Sequence, residues 1–188
     1  MLKTALRYSH DLLAEIITEG DVVVDATVGN GHDTLFLAEL VGSTGHVYGY
    51  DIQAQGLVNT QEKLTAANLT ARVTLFNQGH ETIEQTIPVE TPIKAGIFNL
   101  GYLPKSDKKI ITTSPTTIQA LQALLSRLVP CGRIIVVVYY GHDGGLAEKE
   151  GVLAFVESIP QEDFNVLSYQ FINQRNTPPI LIAIEKKA

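Results

Sequence analysis

At 188 residues and 20.5 kDa the chain has the size of one domain, or one domain with a short appendage, and its 45% apolar and 18% charged residues supply a core and exclude intrinsic disorder. Lys and Arg number 14 against 20 Asp and Glu, a net charge of −6, which argues against a binder driven by generic attraction to nucleic acid but leaves room for one local basic patch. Cys131 is the only cysteine, so intramolecular disulfides and cysteine-rich zinc or iron–sulfur centres are excluded, no metal site is expected, and a reducing, cytoplasmic compartment is the natural home.

Leu6, Leu12, Leu13, Ile16 and Ile17 approximate helical spacing up to Gly20 and predict a helix over 2–19 that packs on the core. Asp11 and Glu15 interrupt its apolar pattern, so it is not the apolar region of a signal peptide. Val22, Val23 and Val24 read as a buried parallel strand, followed by a Gly-rich turn at 27–31 and a helix through Leu35, Phe36 and Leu40. A second strand is expected over 46–51, a helix over 53–67, a third strand over 72–76 and a short helix over 81–87. The fourth strand covers 93–99, and an irregular segment, 100–114, follows it. Pro115 suits the first turn of the next helix, whose apolar face uses Ile118, Leu121, Leu124, Leu125 and Leu128. Residues 130–132 read as a turn into a fifth strand over 133–140, with Cys131 a buried small residue. A Gly-rich loop at 141–145 leads to a helix that ends near Ile159 and Pro160.

The last two β-rich runs, 164–172 and 179–185, are separated only by 173–178. Parallel strands need a longer crossover, so these two must be antiparallel neighbours. The longest apolar runs, 134–140 and 180–184, have strand length and are too short to span a bilayer. No repeat, low-complexity tract or linker divides the chain, and 1–188 reads as one domain. Five βα units closed by an antiparallel pair make an α/β, doubly wound sheet whose final strand runs against the rest, unlike an all-parallel dinucleotide-binding sheet. Ligands of such sheets bind at the carboxyl ends of the parallel strands, in the loops after strands one, two, four and five.

After strand one, Gly29 and Gly31 let the backbone approach a ligand closely, and the next helix offers unpaired N–H groups. The same glycine pair also occurs as a plain tight turn. Thr34 stands where the NAD fingerprint has its third glycine, which weakens a dinucleotide reading. Asp51 lies 20 positions after Gly31, the distance at which an acid accepts hydrogen bonds from ribose hydroxyls, although an acid there also serves as a helix N-cap. Together the two motifs specify an adenosine-containing ligand. Asp25, directly at the end of strand one, would repel a pyrophosphate and suits a ligand with a cationic ammonium and sulfonium, namely S-adenosylmethionine.

On these residues the sequence resembles the class I methyltransferases, which implies a seven-stranded sheet of order 3-2-1-4-5-7-6 with the last strand antiparallel. Residues 25–31 match their first motif, Asp51 their ribose acid, and Gln78, Gly79 and His80 the loop that faces adenine, with His80 where those enzymes usually place an acid. The resemblance implies contacts to S-adenosylmethionine from Asp25, Thr27, Gly29, Asn30, Gly31, Asp33, Thr34, Asp51, Gln53, Gln78, His80 and Asn99. Phe98-Asn99-Leu100-Gly101-Tyr102-Leu103-Pro104 looks like a variant of the Asn-Pro-Pro-Tyr motif of amino-directed methyltransferases, with Leu-Gly in place of Pro-Pro.

With Tyr139-Tyr140-Gly141-His142-Asp143-Gly144-Gly145, the whole pattern resembles the family labelled putative rRNA methylases over essentially the full chain. Characterised members of that family methylate the aminomethyl nitrogen of 5-aminomethyl-(2-thio)uridine at the tRNA wobble position. The resemblance implies a tRNA substrate, with Asn99 and the Leu100 carbonyl orienting the amine, Tyr102 stacking on or hydrogen-bonding the uracil, and His142 accepting a proton. For His142 the alternative is a loop histidine that caps the next helix; His10, His32 and His46 receive no role. Tyr139 and Tyr140 alternate faces on a strand, so one is expected in the core, with Tyr140 at the substrate. Lys105, Lys108 and Lys109 form a basic cluster that would hold tRNA phosphates or else be a solvated loop, and Arg175 would extend it. A homodimer would enlarge the surface offered to a large RNA. Two further readings fit the same residues: a methyltransferase of rRNA or of a small molecule, and a non-catalytic nucleotide-binding module.

Overall fold

The structure, a computed structural model, describes residues 1–101 and 112–188. Tyr102, Lys105, Lys108 and Lys109 lie outside the described residues. Seven strands form one sheet in the order β3-β2-β1-β4-β5-β7-β6, comprising β1 (Val22–Asp25), β2 (His46–Tyr50), β3 (Val73–Phe76), β4 (Ile93–Leu100), β5 (Leu128–Val138), β6 (Phe164–Tyr169) and β7 (Ile180–Lys186). Strand β7 runs antiparallel to both β5 and β6, and the pairs β1–β2, β1–β4, β2–β3 and β4–β5 are parallel. The expected order and the reversed last strand are both present.

The apolar runs explain the layers. In β5, Ile134, Val136 and Val138 pack with Leu121, Leu124, Val152 and Val156 of α5 (Ser114–Leu125) and α6 (Gly145–Glu157). The alternate residues Ile135 and Val137 pack with Leu12, Leu13 and Leu37 of α1 (Ala5–Ala14) and α2 (His32–Leu40). A strand covered on both faces must be apolar at every position, which is why this run does not alternate. Each such side chain contributes about 1.5–3 kcal/mol on burial. The remaining helices are α3 (Ala54–Ala66) and the short α4 (Ile83–Thr86), the latter preceded by a 3₁₀ turn, His80–Thr82, where a single helix over 81–87 was expected.

Two local expectations are corrected. The N-terminal helix stops at Ala14 rather than reaching residue 19, because the Asp21 carboxylate accepts hydrogen bonds from the Thr18 N–H (2.7 Å) and hydroxyl (3.0 Å) and closes the chain into a turn. Residues 130–132 are not a turn before β5. The strand already pairs at Leu128 with Ile93, and the register shifts between Ile93 and Ala95 to accommodate an outward bulge. Cys131 sits there with φ 58° and is exposed rather than buried.

Helix α1 is fastened across the sheet by Arg133, whose guanidinium donates to the Leu12 carbonyl (2.9 Å), Glu15 (2.7 Å) and Glu185 (2.6 Å). This clamp fastens the C-terminal end of α1 to β5 and β7, while nearer the cleft His10 of α1 stacks on Phe36 of α2. Among the described residues no helix is long and apolar enough to cross a membrane.

Candidate active site

A cleft of about 940 Å³ opens over the carboxyl ends of β1, β2, β4 and β5, within the size range of small-molecule sites. Its floor is the turn after β1. Gly29 (φ 52°) and Gly31 (φ 80°) take left-handed conformations that side chains disfavour. Asp51 grips this turn, with Oδ2 accepting the Gly29 N–H at 2.7 Å while Oδ1 accepts the Gln53 N–H at 2.8 Å. Asp51 is therefore not the N-cap of α3, a place taken by Gln53. It closes an Asx turn ahead of the helix and keeps its remaining lone pairs on the cleft wall.

Gly56, in the first turn of α3, lets the helix approach the same turn. A Cβ there would lie 2.6 Å from the Gly29 carbonyl oxygen. Ala is the better helix former by about 1 kcal/mol in an open helix, but here Gly56→Ala is expected to destabilise by about 1–3 kcal/mol and to weaken cofactor binding. Thermal unfolding and titration check this, and an unchanged or raised Tm contradicts it.

Thr27, Gly29, Asn30, Asp33, Asp51, Gln53, Gln78, His80, Asn99, Tyr140 and His142 all line the cleft, as the sequence motifs implied. Asp25, Gly31 and Thr34 do not. Asp25 is fully buried behind the turn, where it accepts hydrogen bonds from the Thr27 N–H (3.1 Å) and the Thr34 hydroxyl (2.6 Å). It shapes the turn from behind and does not reach the cleft. Arg175 also stands off the wall, in the turn between β6 and β7, from which only Thr177 reaches the cleft. Neither Tyr139 nor Tyr140 is fully buried, because β5 ends at Val138 before the alternation can carry either ring inside. The Tyr140 ring carries the Lys149 ammonium at 4.2 Å from its centroid.

His80 is 5% exposed, its Nδ1 donates to the Ala26 carbonyl at 2.9 Å, and its ring meets Phe98 edge-on. Burial pushes its pKa below 6.5 and keeps the ring neutral. Asp25 shifts the other way. Burial, and then the charge of Asp33, lift its carboxyl from 3.8 to about 7. The folded chain then holds a proton that the unfolded chain has released, so this group's stability contribution is full below pH ~4 and lost as pH rises to ~7. Asp25→Asn is expected to flatten that decline by up to about 1.4 kcal/mol per pH unit. His80 contributes the opposite slope and is common to both proteins, so denaturant unfolding of each across the window isolates Asp25. Parallel stability curves would contradict the assignment.

Several cleft residues carried no functional reading in the sequence, Ile52 and His10 among them. Ile52 is 56% exposed on the lip directly after Asp51, an apolar surface for a planar base; an exposed apolar residue following the strand-end acid is a signal that could have found it. His10 reaches the wall from α1, and no local pattern marks it.

The electrostatics discriminate between ligands. Among the described lining residues, Asp33, Asp51 and Glu81 are acidic and none is Lys or Arg. A diphosphate would meet uncompensated repulsion, whereas a sulfonium and an ammonium meet attraction. The glycine turn, the Asp51 carboxylate and the acidic wall thus fit S-adenosylmethionine.

Known proteins agree. Residues 47–185 match the model of a family described as "Putative rRNA methylase". A "tRNA (mnm(5)s(2)U34)-methyltransferase, chloroplastic" from Arabidopsis thaliana is 38% identical across 98% of this chain and 70% of its own length. Among solved structures, an rRNA methylase described as putative, from Clostridium thermocellum, superposes with a TM-score of 0.96 at 51% identity, covering 99% of both chains. A putative methyltransferase from Streptococcus mutans, solved in complex with SAH, superposes with a TM-score of 0.91 at 44% identity, again over 99% of both chains.

Proposed function

Because the chain belongs to the "Putative rRNA methylase" family of S-adenosylmethionine-dependent methyltransferases, we propose that its substrate is RNA, and specifically the aminomethyl nitrogen of 5-aminomethyl-(2-thio)uridine at the wobble position of tRNA. The observation that carries this reading is the state of Asn99. Its side-chain Nδ2 donates to Asp33 at 2.5 Å, while Oδ1 is buried and has no hydrogen-bond partner among the described residues. A buried unpaired acceptor costs about 1–3 kcal/mol, a cost that an amine N–H delivered by substrate would relieve. The name of the Arabidopsis relative supports tRNA over other RNAs.

When bound, S-adenosylmethionine supplies a methyl group made electrophilic by its sulfonium. Asp51 and the turn at Gly29 bind and orient the nucleoside, and Asp33 and Asp51 favour the cationic end. Asn99 sits at the end of β4, its backbone N–H donating to the Thr27 hydroxyl at 2.7 Å, so the acceptor-binding amide is tied to the cofactor turn itself. That link fixes the distance between nucleophile and donor, which is where an in-line displacement gains most from a protein. The amine must lose a proton to attack, and His142, on the cleft wall after β5, is the proposed acceptor. A homodimer that widens the RNA surface belongs to the same proposal.

The test is nucleoside mass spectrometry after incubation of the protein and S-adenosylmethionine with tRNA carrying the aminomethyluridine and, separately, with rRNA. Methylation of the wobble nucleoside is expected. Methylated rRNA with an unchanged tRNA would overturn the substrate.

A further inference from the structure

A polar chain enters the cleft from the N-terminal helix and ends on Asn99. His10 Nε2 lies 2.6 Å from Asp33 Oδ1, and the imidazole stacks on Phe36 at 4.1 Å with an interplanar angle of 8°. Asp33 is 8% exposed, and its second oxygen takes the Asn99 Nδ2 hydrogen bond. A carboxylate can only accept, so it forces the amide to turn its NH₂ edge inward and leaves Oδ1 as the edge that remains. The His10 ring nitrogen that faces the carboxylate must likewise donate. Each link therefore dictates the orientation of the next, beginning from a ring whose own pose is fixed by stacking.

We propose that Asp33, held by His10, is a positioning residue that locks the Asn99 amide with Oδ1 toward the methyl acceptor, and thereby restricts the enzyme to nucleophiles that carry a hydrogen-bond donor. The inference rests on the reading that Asn99 faces the acceptor amine, and it moves Asp33 from the cofactor's contacts to the acceptor's. An unlocked amide could present its NH₂ edge instead, which would repel the amine hydrogens and compete for the lone pair that must attack the methyl carbon. A hydrogen bond to a charged group is of the strength needed to hold one orientation.

Asp33→Asn preserves shape and removes the obligation, because an Asn at that position can donate to Asn99 and let it turn round. We expect kcat to fall about 10- to 100-fold. The wall loses one of the three acidic charges among its described residues, so the Kd for S-adenosylmethionine should rise, but several-fold less than kcat falls. His10→Ala, which leaves the Asp33–Asn99 pair in place, should cost less, about 3- to 10-fold. The double variant Asp33→Asn/Asn99→Asp reverses donor and acceptor across the pair and again offers an accepting oxygen to the amine, so kcat should recover about tenfold over Asp33→Asn alone. A rise in the cofactor Kd that matches the loss in kcat, or a double variant no better than the single one, overturns the proposal.

Side-chain amide hydrogen exchange of Asn99, followed by ¹⁵N NMR without RNA, reads the lock independently of substrate. Slow exchange in the parent and fast exchange in Asp33→Asn is expected, and equal exchange in both contradicts the lock. If that pattern holds while the parent methylates no aminomethyluridine, the substrate reading fails and the lock stands. If the parent is active and Asp33→Asn loses nothing, the lock fails and the substrate reading stands.

Discussion

Asn99→Ala is expected to lower kcat for methyl transfer about 100-fold while the Kd for S-adenosylmethionine stays within about threefold. The side chain is the proposed contact of the amine, its Oδ1 is buried without a partner among the described residues, and its Nδ2 satisfies Asp33. Truncation removes the acceptor and lets the amine rotate away from the attack line. Its backbone N–H still donates to Thr27, so the end of β4 keeps its place and the cofactor turn is undisturbed. A split of this kind, in kcat and not in cofactor affinity, separates acceptor positioning from cofactor binding. A cofactor Kd that rises in step with the lost rate would put Asn99 on the wrong side of the reaction.

The second large effect falls on Asp51. Its two oxygens hold the Gly29 and Gln53 N–H groups at 2.7 and 2.8 Å, and the same carboxylate faces the cleft where ribose hydroxyls would lie. Asp51→Ala loses charged hydrogen bonds at about 1.5–3 kcal/mol each and frees the turn at Gly29, so the Kd for S-adenosylmethionine or S-adenosylhomocysteine is expected to rise at least about 100-fold. Asp51→Asn keeps one accepting oxygen and should fall between. Calorimetric titration of the three proteins measures this, and an Asp51→Ala protein that binds like its parent would remove the ribose assignment.

Most of the fold was legible because the sheet writes itself in unbroken apolar runs. Residues 134–138 are apolar at every position, and only a strand covered on both faces needs that. The gap at 173–178 is too short for a crossover, which forces the reversal of the last strand. Illegible features were those decided by side chains meeting across the chain. Nothing local marks Asp21 as the group that ends α1 early, or shows that Pro130-Cys131-Gly132 would be absorbed into a strand by pairing that starts at Leu128. Proline and glycine read as a turn; tertiary pairing made them a bulge.

The site divides in the same way. Gly29, Asp51 and Asn99 were readable because their chemistry is tied to positions at strand ends, and each is on the cleft wall. Asp25 stands at a strand end too, but whether its carboxylate points into the cleft or behind the turn depends on Thr27 and Thr34, which claim both its oxygens. His10 was unreadable. Its partners, Asp33 and Phe36, lie on α2, more than twenty residues away in sequence, and only the packing of α1 against α2 brings them together.

The most direct test of the whole account is a structure of the protein with S-adenosylhomocysteine and an anticodon stem-loop bearing 5-aminomethyl-2-thiouridine. The amine nitrogen is expected about 3 Å from Asn99 Oδ1, with the cofactor ribose on Asp51 and the Asn99 NH₂ still on Asp33. An amine bound away from Asn99, or an Asn99 side chain turned with its NH₂ toward the base, would contradict it.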